Sequence, residues 1–202
     1  MPRFARSGRT SSQRQPILER AVQLASVHGL NGLTIGSLAE DVGMSKGGIS
    51  AHFKSKTALQ LEVVRSAAKL MTLHVISPIQ SKPAGLARLK AFDTAWWKYF
   101  ENKVFAGGCF FTNATLELDD LEDDEVAAAV RQQYQRLISY LEAQTKTAKQ
   151  QSEIHADTNV SSFVLEFMAL RFGAIVYRSL GIQNGVPMAR KAVKALIARA
   201  TI

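Results

Sequence analysis

Apolar residues recur at helical spacing along most of the chain. Ile17, Leu18, Ala21, Val22, Leu24 and Ala25 share one helix face. Pro16 suits its first turn, and "HGLNG" closes it with Gly29 at the C-terminal position. Thr34 caps a short second helix that turns Ile35, Leu38, Ala39 and Val42 inward. Gly43 breaks that helix, Ser45 caps a third to about Ala51, and Ser55 caps a longer fourth to about Val75. Past a loop bracketed by Pro78 and Pro83, "GLARLKAFDTAWWKYFEN" predicts a helix ending before Gly107 and Gly108. "CFFTNATLEL" predicts a short helix and "DDEVAAAVRQQYQRLISYLEAQTKTAKQ" a long one. Asp157 caps "TNVSSFVLEFMALRFGAIVYRSL", Gly181 stops it, and Pro187 opens the last helix. No segment alternates with period two and no repeat is present, so the class is all-α with about nine helices.

Composition narrows the picture. No apolar run approaches the roughly 20 residues that span a bilayer, so no membrane partner is expected. The basic N-terminus lacks the apolar region of a secretory signal. The lone Cys109 excludes an internal disulfide and fits a reducing compartment, so the expected location is cytoplasmic. Net charge is +8, concentrated in residues 1–56, whereas 117–125 is acidic. A basic N-terminal third on a mixed remainder points to a polyanion-binding module. Residues 1–14, rich in Ser and Arg without periodicity, read as a mobile basic arm. Residues 15–56 then form a head and 57–202 a body.

"GMSKGGISAHFKSK" carries the most specific chemistry. Lys46 and Lys56 each follow a capping serine, where a cation opposes the helix dipole at about 0.3–1 kcal/mol. Gly47 and Gly48 each cost roughly 1 kcal/mol against alanine in a helix. Two short helices joined by "DVGMS" are the sequence form of a helix-turn-helix, whose second helix enters the DNA major groove. A phosphate between dipole and ammonium reverses the lysine penalty. Glycine lets the nucleic acid approach where a side chain would collide. His52 and Lys54 extend the same face toward phosphate, and the methyl of Ala51 suits a thymine. Phe53 is a core residue.

"LTIGSLAEDVGMSKGGISAHFKSKTAL" resembles the N-terminal domain of the TetR/AcrR family of bacterial transcriptional regulators, over about residues 15–60. The resemblance implies a homodimer with a three-helix DNA-binding head and an effector-binding body whose last two helices pair across the dimer. It implies that Thr34, Ser45, Lys46, Gly47, Gly48, His52 and Lys56 touch operator DNA. "GGCFFTNATLEL" also resembles a segment early in the body of some members. One departure is Ser50, where members commonly carry an aromatic. A serine reaches less far, which shifts binding toward the arginine-rich arm and the minor groove. The function implied is a ligand-responsive DNA-binding regulator, a repressor released from a palindromic double-stranded operator by a small apolar effector, and not an enzyme.

The body offers two sets of candidates. Trp96, Trp97, Phe100, Phe110, Phe163 and Phe167, with Asn113, Tyr134 and Arg171, are the expected lining of the effector cavity; ordinary core is the competing reading. Arg171, on an apolar helix, requires a partner: Glu166, Glu117, a ligand carboxylate or an intersubunit group, unless it reaches the surface along its stem. Leu170, Ala174, Ile175, Val193, Leu196 and Ile197 are the expected dimer interface. Cys109 reads as inert burial. The alternative function is an all-α metal-assisted hydrolase using Asp119, Asp120, Asp123 and His155; a sequence-indifferent structural DNA binder is a further one. The acidic run lacks the spacing of a calcium loop, and no metal, P-loop, nucleophile-elbow or dinucleotide motif is present, so no cofactor is expected.

Overall fold

The computed structural model describes residues 7–119 and 124–202. Among these are nine α-helices: α1 (Ser7–Gly32), α2 (Ile35–Asp41), α3 (Lys46–His52), α4 (Lys56–Met71), α5 (Leu86–Glu101), α6 (Phe110–Leu116), α7 (Asp124–Gln150), α8 (Val160–Ser179) and α9 (Gly185–Ala200). A π-helical turn at Thr72–Ile76 and a 3-10 turn at Ser77–Ile79 follow α4, and the described residues contain one isolated β-bridge, Ile154 to Thr201.

The chain divides into two compact units. Unit 1 runs to Leu70 and takes in Lys103–Gln132; unit 2 holds Met71–Asn102 and Gln133–Ile202. This division falls elsewhere than the sequence boundary after residue 56, because α6 and the loop before it pack on α1. Gln23 bonds both ways, its Nε2 donating to the Val104 carbonyl at 3.0 Å and its Oε1 accepting from Ala106 N at 2.8 Å. Gly107 N donates to Ser26 Oγ at 3.1 Å, and a Cβ on Gly107 would overlap the Ser26 carbonyl, so only glycine allows this approach. The core of unit 1 includes Ala21, Val22, Leu38, Ile49, Phe53, Leu59 and Val63.

In unit 2, α5 buries Leu89, Phe92, Trp96, Trp97 and Phe100, each side chain this size contributing about 1.5–3 kcal/mol. The first N–H groups of α5 are capped from afar: Leu86 N donates to Glu153 Oε2 at 2.8 Å and Gly85 N to Gln144 Oε1 at 3.1 Å. α8 packs along α9.

Several boundaries differ from the sequence reading. α1 begins at Ser7 and carries Pro16 inside, so residues 7–14 are helical rather than an irregular arm; residues 1–6 lie outside the described residues. Inside a helix, proline loses its own N–H bond and its ring crowds the carbonyl four residues earlier, at about 3 kcal/mol or more; the buried face of α1 begins directly after it, at Ile17 and Leu18. Gly29 does break α1, at φ 78° and ψ 167°, with one more helical turn after it. Asn159, not Asp157, caps α8 through Ser162 N at 2.9 Å, and α9 starts at Gly185 with Pro187 in its first turn. The 20-residue α8 is long and apolar enough to cross a membrane by length and composition. It nevertheless carries Glu166, Arg171 and Arg178.

Candidate nucleic-acid interface and ligand region

The turn between α2 and α3 is fixed by local chemistry. Thr34 and Ser37 form a capping box: Thr34 Oγ1 accepts from Ser37 N at 2.9 Å, and Ser37 Oγ accepts from Thr34 N at 2.9 Å. Gly43 turns the chain at φ 66°, where a side chain is strained. Ser45 Oγ then accepts from Gly48 N at 3.1 Å, and Ser55 Oγ from Ala58 N at 3.0 Å, each capping the helix that follows it.

Ile49 is the one buried residue of α3. Around it Ser45, Lys46, Gly47, Ser50 and Ala51 are exposed, as is Lys54 beyond the helix, while Gly48, His52, Lys56 and Thr34 are half-buried. The two glycines differ. A methyl on Gly47 would meet nothing closer than Ser45 Oγ at 4.0 Å, so the protein itself does not require glycine there. A methyl on Gly48 would come within 3.2 Å of Met44 Cε, so part of the reason for that glycine is internal. Arg14, assigned by sequence to the arm, instead braces the end of α3. It pairs with Glu62 of α4, its Nε donates to the His52 carbonyl at 3.4 Å, and its guanidinium lies 5.1 Å from the Phe53 ring centre. A further pair, Arg20 with Asp41, ties α1 to α2 at 2.5 and 2.7 Å. Its hydrogen bond holds the Asp41 carboxyl below its ordinary range.

Unit 2 is organised around Arg171, which is 1% exposed. Its partner is Asp93 of α5, at 2.6 Å, not Glu166 or Glu117. Glu166 pairs with Arg199 on the surface at 2.9 Å, and Glu117 accepts from Asn31 N in unit 1 at 3.2 Å. Asp93 Oδ1 also accepts from Trp97 Nε1 at 2.7 Å, and Arg171 donates to the Phe167 carbonyl. The guanidinium lies 3.8 Å from the Phe167 ring centre and 5.5 Å from those of Phe92 and Trp96. Burial opposes both charges: it raises the Asp93 carboxyl and lowers Arg171 to about 10. Trp96 stacks on Phe100 at 5.2 Å, and Phe163 on Phe167 at 5.8 Å. These aromatics are therefore together, packed as core. Tyr134 meets Phe172 at 5.8 Å in the same unit. Phe110 and Asn113 belong to unit 1, where Asn113 Nδ2 donates to the carbonyls of Ser26 at 3.2 Å and Gly107 at 3.1 Å.

"Bacterial regulatory proteins, tetR family" matches residues 17–63, and "Tetracyclin repressor-like, C-terminal domain" matches residues 85–193, more than half of the chain. The chain belongs to the TetR family. No curated protein matches it closely. A TetR transcriptional regulator from Chloroflexus aurantiacus J-10-FL is similar at TM-score 0.84 and 23% identity, over 96% of this chain and 98% of that one. AibR, solved with isovaleryl coenzyme A and operator DNA, is similar at TM-score 0.74 and 18% identity, over 93% and 99%. A regulator from Saccharomonospora viridis, solved in complex with choline, is similar at TM-score 0.74 and 18% identity, over 93% and 96%. The chain is thus a DNA-binding regulator of transcription by family.

Within this TetR-family chain the residues expected at a dimer interface lie on α8 and α9. Ala174, Ile175, Val193, Leu196 and Ile197 are buried inside the protomer, and Leu170 is half-buried. They form the seam between α8 and α9. The exposed apolar stripe is different: Leu165 (71% exposed), Ala169, Gly173 and Val176 (45%) on α8, Leu180 just past its end, and Met188 and Ala195 on α9. Cys109 is buried at the start of α6. Of the acidic run, Asp120, Glu122 and Asp123 lie outside the described residues; Asp119 belongs to unit 1 and His155 to unit 2. Among the described residues no three His, Cys, Asp or Glu side chains are grouped to hold a metal.

Proposed function

We propose that this TetR-family chain is a ligand-responsive repressor that reads a palindromic operator as a homodimer and is released by a small effector. The observation that carries it is the outward face of α3, where Lys46, Gly47, Ser50 and Ala51 are exposed around the single buried Ile49. Two features there are unfavourable for an isolated helix: a cation in the first position and a glycine that no neighbour requires. Both become favourable against a phosphate backbone. Residues 15–56 form the reading head, with Thr34, Ser45, Gly48, His52, Lys54 and Lys56 flanking the contact, and residues 57–202 form the responding body. The exposed stripe on α8 and α9 makes the self-complementary interface. AibR, seen with operator DNA and an acyl coenzyme A, and the choline-bound regulator support a ligand-responsive mode for the shared fold. The effector acts by binding better to a body state whose heads do not match the operator.

The test is selection of duplexes from a random pool by the full-length protein. The recovered sites are expected to hold two inverted half-sites spaced by about 10 base pairs or a multiple. Lys46→Ala and Lys56→Ala each weaken binding to every recovered duplex. Each also lowers the slope of log affinity against log salt by about one counterion. Recovery of unrelated duplexes, or unchanged slopes in both variants, would overturn the reading.

A further inference from the structure

Between α5 and α9, within unit 2, lies an open cleft of about 460 Å3, in the size range of small-molecule sites. α5 contributes Lys90, Asp93 and Thr94, α9 contributes Lys194 and Ile197, and Thr201 closes the end. Asp93 is not a free charge here, because its Oδ1 holds Trp97 Nε1 and the buried Arg171 from inside the core. The charges left to the cleft are the two lysines, one on each helix. Thr94 Oγ1 donates to the Lys90 carbonyl at 3.2 Å and Thr201 Oγ1 to the Ile197 carbonyl at 2.8 Å. Their hydroxyl protons are therefore already placed, and the donors the cleft offers a ligand are the ammonium groups.

Both walls are fixed before any ligand arrives. α5 is capped by Glu153 and Gln144, and the chain end is tied by the Ile154–Thr201 bridge and by Ile202 N donating to the Glu153 carbonyl at 3.3 Å. A preformed site loses less ordering entropy on binding.

We propose that this cleft binds a small organic anion, its carboxylate held between Lys90 and Lys194 and its apolar body against Ile197 and Ala198. Only the identification of that anion as the effector rests on the regulator reading above. A cationic ligand is disfavoured, since Asp93 is already paired and the other charges lining the cleft are Lys90 and Lys194. Burial also pushes the Asp93 carboxyl up, which weakens it as a cation anchor. A bare inorganic anion would meet the lysines but leave Ile197 and Ala198 unused.

The experiment is calorimetry on the full-length protein with four probes: hexanoate, hexanol, hexylammonium and inorganic phosphate. Hexanoate is expected to saturate one site per chain and to quench tryptophan fluorescence, since Trp97 bonds to the cleft's Asp93. Hexanol, hexylammonium and phosphate are each expected to bind at least about tenfold more weakly. Lys90→Ala and Lys194→Ala should each weaken hexanoate by about tenfold, the loss of one charge-assisted hydrogen bond. Lys191→Ala, exposed on α9 outside the cleft, should not. Absence of saturable hexanoate binding, equal binding of any other probe, or indifference to both cleft variants would overturn the proposal. Duplex binding measured without hexanoate is a separate arm: its failure would remove the repressor reading and leave the calorimetric result standing.

Discussion

Arg171 and Lys46 are both cations on helices, and the fold treats them in opposite ways. Arg171 is enclosed in unit 2, with Asp93, the Phe167 carbonyl and a ring of aromatic faces around it. Its charge is consumed inside the molecule. Lys46 stands at the first position of α3, exposed, at the end of the helix where a cation is least favoured. Beside it is Gly47, where an added methyl would meet nothing closer than Ser45 Oγ at 4.0 Å. A cation neutralised by its own chain explains the fold; a cation set outward at an energetic cost points to something outside it.

That contrast fails if Arg171 can be removed cheaply. Arg171→Leu leaves Asp93 buried without its guanidinium, and the expected loss of stability is about 3–5 kcal/mol, read from the urea midpoint of unfolding. The double variant Arg171→Leu with Asp93→Leu should regain most of it, because replacing a whole buried pair with apolar side chains is often neutral or stabilising. An unchanged midpoint for Arg171→Leu alone would show that this charge is not committed to the interior.

The same contrast extends to apolar residues. Leu196 is 5% exposed and belongs to the protomer's own core, whereas Leu165 and Val176 are exposed on α8. Leu165→Glu and Val176→Glu should therefore leave the unfolding midpoint of the chain nearly unchanged and shift dimer dissociation by about a hundredfold or more, roughly 2.8 kcal/mol. Leu196→Glu should instead unfold the body. Light scattering across a concentration series separates these outcomes, and a wild-type chain that is monomeric throughout would remove the dimer from the proposal.

Legibility in the sequence followed the range of the interactions. Thr34, Gly43, Ser45 and Ser55 act on backbone groups within three residues or set one local turn, and each was readable from its neighbours. The partner of Arg171 lies 78 residues away, beyond any local pattern. A signal was nonetheless present: Asp93 interrupts the apolar face of α5 four residues before Trp97, where a lone carboxylate needs a cation. On α8 two adjacent faces are both apolar, so periodicity could not tell the side packed on α9 from the side left exposed. Arg14 was misplaced because residues 7–14 carry no apolar stripe, and its role depends on Glu62 and the His52 carbonyl, far along the chain.

The smallest expected change in the fold is at Gly47, and it tests the contrast most directly. The added methyl meets only Ser45 Oγ, at an unstrained 4.0 Å, so Gly47→Ala costs nothing in packing. It also removes a glycine from a helix, so the variant should be more stable than wild type by up to about 1 kcal/mol. If the glycine serves the approach of DNA, the same methyl should weaken binding to the selected duplex by about tenfold while stability rises. Gly48→Ala is the internal comparison: Met44 Cε must yield, so any stability gain there is smaller. The decisive pair of measurements is a thermal melt and a duplex titration on the same Gly47→Ala preparation. Stability and DNA affinity rising together, or affinity unchanged, would mean that the space over Gly47 is not occupied by nucleic acid, and that Lys46 beside it needs another explanation.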